Sequence, residues 1–61
     1  MFSPKTKVLV VDDMSTMRKI VAKILKDLGF TDITEAADGQ IAWDHLTKSP
    51  TPYGLVISDW N

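Results

Sequence analysis

The chain has 61 residues, 44% hydrophobic and 25% charged, which makes one small domain at most, or less than one, with a thin core. Seven lysines and arginines against eight acids leave a net charge of −1, which argues against a nucleic-acid partner held by phosphate neutralisation. Without cysteine and with a single histidine, the chain has no disulfide staple and no thiolate or histidine-cluster metal site.

Residues 1–6 contain Pro4 and read as a flexible tail. Val8-Leu9-Val10-Val11 is continuously apolar and mostly β-branched, so the first strand (β1, 8–11) is expected to be buried on both faces, as in a parallel sheet. Asp12 and Asp13 end that run. From Ser15 the period changes, and Met17, Ile20, Val21, Ile24, Leu25 and Leu28 trace one face of a helix (α1, 15–28). Arg18, Lys19, Lys23 and Lys26 occupy its other side as a solvated basic face, and Gly29 supplies a left-handed stop.

Phe30 to Ala36 suits a short polar strand (β2) whose threonines, Asp32 and Glu35 protect an edge. Asp38-Gly39 turns the chain into a second helix (α2, 39–47), with Ala42, Trp43 and Leu46 on the core face and His45 on a solvated flank. Ser49-Pro50-Thr51-Pro52 breaks the chain. Leu55-Val56-Ile57-Ser58 is a second apolar strand (β3), ending at Asp59.

The order β1-α1-β2-α2-β3 is that of linked βαβ units. Right-handed crossovers, with helices on both faces of β1, place β3 on the opposite side of β1 from β2. The expected fold is α/β, with a three-stranded parallel sheet in the order 2-1-3. Such a sheet binds its ligand at the carboxyl ends of strands 1 and 3, where the order reverses. No apolar run approaches membrane length and the amino end lacks a signal-like segment, so a cytoplasmic protein without a membrane partner is expected.

Asp12, Asp13 and Asp59 therefore converge at that reversal point. Three unpaired carboxylates would repel, and a hard divalent cation such as magnesium relieves this with oxygen ligands. A carboxylate there also suits the role of nucleophile toward phosphate. Taken alone, Asp12-Asp13 equally suits capping of α1. A hydrolase working through an aspartyl-phosphate on the first strand would carry a second acid two residues beyond its nucleophile, and Met14-Ser15 break that pattern.

Val8-Leu9-Val10-Val11-Asp12-Asp13, Ser15-Thr16-Met17-Arg18, Leu28-Gly29-Phe30, Asp38-Gly39 and Ile57-Ser58-Asp59-Trp60-Asn61, in register from about Lys7 onward, resemble the first half of a bacterial response-regulator receiver domain. Trp60 and Asn61 favour the chemotaxis type. The resemblance implies half of a flavodoxin-like doubly wound fold over residues 7–61. It implies Asp59 as phosphoacceptor, and magnesium held by Asp12, Asp13, Asp59 and the backbone carbonyl of Asn61. A histidine kinase and the flagellar motor switch are the implied partners of the parent protein.

Met14 falls where the family has a variable side chain beside the site. The later hydroxyl residue and lysine of the family site do not follow within these residues. The expectation is thus a truncated, non-enzymatic phosphoacceptor module with weak or absent magnesium binding and little output of its own. The alternative expectation is a self-associating half-fold, most simply a two-fold dimer through β3, whose apolar edge would be open.

Overall fold

A computed structural model describes residues 5–58. Five elements follow in order: β1 (Lys7–Val11), α1 (Ser15–Asp27), β2 (Asp32–Ala36), α2 (Gly39–Lys48) and β3 (Leu55–Ser58). The sheet is parallel with strand order β2-β1-β3, part of a flavodoxin-like doubly wound arrangement. Val11 pairs with Ala36 on one side and Ser58 on the other, so all three strands finish at one level.

Val8 to Val11 of the central strand are all buried, as their unbroken apolar run requires, and Lys7 at its start is half-buried. Its side chains alternate between two layers. Val8 and Val10 pack with Leu25, flanked by Val21, Phe30, Ile33, Leu55 and Ile57. Leu9 and Val11 pack with Ala36 and Ala42, against which Tyr53 closes.

The punctuation between elements is local chemistry. Gly29 has φ 106°, a left-handed conformation that favours glycine because it has no Cβ. Around it the Phe30 amide donates to the Leu25 carbonyl at 3.1 Å and the Gly29 amide to Lys26 at 3.0 Å. That is the paired closure of a Schellman stop, with Phe30 packed back near Leu25. Asp38 caps α2, its carboxylate accepting the Ile41 amide at 2.9 Å.

Four expectations change. α1 buries Ala22 and Leu25, while Met17, Ile20, Ile24 and Leu28 remain exposed. The apolar arc of α1 is wider than this sheet, and among the described residues both helices lie over β1 and β2, not β3. Trp43 and Leu46 are not core; they are 62% and 40% exposed, because α2 approaches the sheet through the small Ala42, from which residue 43 falls about 100° round the helix. His45 is half-buried rather than solvated. Arg18 leaves the solvated basic face altogether, its side chain only 16% exposed.

Candidate functional site

The carboxyl end of β1 builds the site. The Asp12 amide still belongs to the sheet, donating to the Ala36 carbonyl at 3.1 Å. This fixes the residue where the chain leaves the strand. Asp12 is 5% exposed, and its Oδ1 accepts the Met14 amide at 2.9 Å. A buried carboxylate with one such hydrogen bond is held in orientation and retains acceptor capacity. Asp13, one residue on, is exposed. Neither acid caps the first turn of α1: the N-cap is Met14, with no side-chain cap. That exposed methionine borders the site, where the sequence placed it.

Arg18 is the residue that sequence reasoning missed. Its Nη1 donates to the Asp12 carbonyl at 2.8 Å, and its Nε lies 3.5 Å from Glu35 Oε1. Nε is buried and makes no hydrogen bond, so the contact with Glu35 is electrostatic. The guanidinium thereby ties the start of α1 to the turn after β1 and to β2. Helical spacing carried the signal, because Arg18 lies four residues before Ala22 and seven before Leu25, on the face that packs against the sheet.

Ser58, the last residue of β3, pairs with Val11. Asp59 and Asn61, the expected phosphoacceptor and carbonyl ligand, lie outside the described residues, as does Trp60. Among the described residues no group of three or more acids, histidines or cysteines is placed to hold a metal. The described donors at the strand end, Asp12 and Asp13, offer only oxygen, a set that fits a hard divalent ion such as magnesium. No helix among the described residues is long and apolar enough to cross a membrane.

A parallel sheet in this order, with an acid pair where the central strand ends, defines a recognisable class. The chain belongs to the response regulator receiver domain family, which it matches over residues 8–61. Its relatives are chemotaxis proteins. It is 49% identical to chemotaxis protein CheY-3 of Vibrio cholerae over 55 residues, 90% of this chain and 41% of that protein. It is 46% identical to chemotaxis protein CheY of Pseudomonas aeruginosa, covering 90% of this chain and 43% of the relative. It is 51% identical to the chemotaxis protein CheY homolog of Campylobacter jejuni, covering 90% and 42%. The chain thus spans about two-fifths of the length of the curated relatives it matches.

Proposed function

We propose that this chain is the phosphoacceptor part of a chemotaxis-type response regulator in two-component signalling, taking a phosphoryl group on Asp59. The observation that carries the reading is the register of the sheet: Val11, the neighbour of Asp12 in the chain, pairs with Ser58, the neighbour of Asp59. A carboxylate oxygen of Asp59 attacks phosphorus, the bond from phosphorus to the donor's leaving atom breaks, and that atom keeps the electron pair. In the cell the donor is a phosphohistidine on a kinase; in a test tube it is acetyl phosphate. Asp12, Asp13 and the Asn61 carbonyl would hold magnesium, which neutralises charge on the transferring group. The chain's own contribution is positional: the Met14 amide and Arg18 hold Asp12 against the end of the sheet. On the same reading, the output partner of such a regulator is the flagellar motor switch.

The test is intact-mass analysis after incubation with acetyl phosphate and magnesium. One phosphoryl group on the unaltered chain, and none on Asp59→Asn, is the expected result. Undiminished labelling of Asp59→Asn overturns the assignment.

A second reading is favoured by one observation. On β3, Val56 is 46% exposed, and among the described residues the outer edge of that strand has no partner strand. β3 carries neither charge nor proline over 55–58, whereas the other edge, β2, carries exposed Asp32 and Glu35. Self-association of two copies through β3, strands antiparallel about a two-fold axis, satisfies that edge. Sedimentation equilibrium decides it: a cooperatively folded chain of monomer mass at every concentration overturns the dimer.

A further inference from the structure

The acids stand at the carboxyl end of β1, and a cavity of about 290 Å³ lies at its amino end. Phosphoryl transfer makes no use of it. Lys7, which opens β1, reaches into the loop after α2. Its Nζ donates to Ser49 Oγ at 2.6 Å and to Thr51 Oγ1 at 3.4 Å, and sits 5.0 Å from the centre of the Tyr53 ring. All three partners are neutral. Among the described residues no carboxylate pairs with the half-buried Lys7 ammonium.

The rest of the lining extends this pattern. His45 and Lys48 add two basic side chains from the last turn of α2, against one acid, Asp44. Pro50 and Tyr53 supply apolar walls. Both are stiff. Proline is fixed by its ring, and the Tyr53 hydroxyl donates to Thr34 Oγ1 at 3.3 Å, anchoring the phenol to β2. The loop between them is closed by Ser49 Oγ donating to the Thr51 carbonyl at 2.6 Å. A stiff apolar wall beside an uncompensated cation costs little ordering entropy when a ligand arrives.

We propose that this cavity binds a small organic anion with a flat apolar body, of the aromatic-carboxylate class. The carboxylate lies against Lys7 and Lys48, and the ring lies against Pro50 and Tyr53. The charge requirement follows from Lys7, whose hydroxyl and ring partners lower the energy of an ammonium without cancelling its charge. The size requirement follows from the volume, at the lower end of the roughly 300–1,000 Å³ of small-molecule pockets. One ring bearing a carboxylate fits that space. The site is at the opposite end of the sheet from Asp12, so its test is independent of phosphorylation.

The experiment titrates benzoate, with benzyl alcohol as its neutral counterpart, into the ¹⁵N-labelled chain and follows the backbone amides. The expected result is saturable shifts in the low-millimolar range at Lys7 and across 45–54. Benzyl alcohol should bind at least fivefold more weakly, as should benzoate to Lys7→Met and to Lys48→Gln. Lys48 is exposed, so Lys48→Gln decides the matter if Lys7→Met disturbs the fold. Shifts that fail to saturate, equal binding of benzyl alcohol, or unchanged benzoate binding by Lys48→Gln would each overturn the proposal.

Discussion

Replacing Arg18 with methionine keeps the apolar stem of the side chain and removes the guanidinium. Two interactions go. The hydrogen bond from Nη1 to the Asp12 carbonyl, 2.8 Å long and part-buried, has a charged donor, a kind worth about 1.5–3 kcal/mol. The contact with Glu35 is 3.5 Å long and its carboxylate is 36% exposed, so it adds less than about 1 kcal/mol. The expected loss is therefore about 2 kcal/mol, nearly all from the Asp12 carbonyl. With a urea dependence of about 1 kcal/mol per molar, suited to so short a chain, the midpoint falls by about 2 M. Urea unfolding followed by far-ultraviolet circular dichroism measures this, at one fixed chain concentration because any association shifts the midpoint. Glu35→Gln is the control and should lose less than about 1 kcal/mol. If Arg18→Met loses no more than Glu35→Gln, the bond to Asp12 is not what makes Arg18 matter, and the reasoning fails.

The other predictions test the punctuation and one correction. Gly29→Ala places a Cβ at φ 106° with no atom within 4 Å of it; the penalty is backbone strain alone, about 1–2 kcal/mol, read as a fall in the thermal midpoint. Asp38→Ala removes the cap of α2 and should lose about 1 kcal/mol, whereas Asp38→Asn keeps an accepting oxygen and should stay within about 0.5 kcal/mol of the unaltered chain. Trp43→Gln should change stability by no more than about 0.5 kcal/mol in circular-dichroism unfolding; a loss above about 2 kcal/mol would return that ring to the core.

Periodicity and punctuation made much of this architecture legible. Four consecutive apolar residues ending in two acids pointed to a central strand buried on both faces, and Val8 to Val11 are so buried. Gly29 and Asp38 announced a helix stop and a helix start because each does a job that few other residues do. The helices were read less well for a physical reason. An apolar arc reports what a helix could bury, and how much it does bury depends on the width of what lies beneath. Ile20 and Ile24 satisfy the period as well as Leu25 does, yet only Leu25 lies over the sheet. Trp43 misled through its size, since the close approach of α2 is made at the smallest side chain, Ala42. At the candidate site, the ending of β1 at Asp12 was legible, while Asp59 lies outside the described residues. The role of Arg18 was not, because charge assigned it to solvent while its spacing assigned it to the sheet, and spacing prevailed.

The pairing of β1 has a consequence for the order of events in folding. Val8 pairs with Ile33, 25 residues further on, and with Leu55, 47 residues further on. Among the described residues no two strands form a hairpin, so each of these pairings requires closing a long loop before any burial offsets the lost chain entropy. The two helices span 13 and 10 residues, lengths at which isolated helices are marginal in water. They cannot wait, preformed, for a sheet to dock on. Both hydrophobic layers share one strand, so neither layer can be completed without the other. During synthesis β1 emerges before both of its neighbours, and it gains the second of them only when residues 55–58 emerge. Residues 8 to 58 must all be made before the central strand has both of its neighbours.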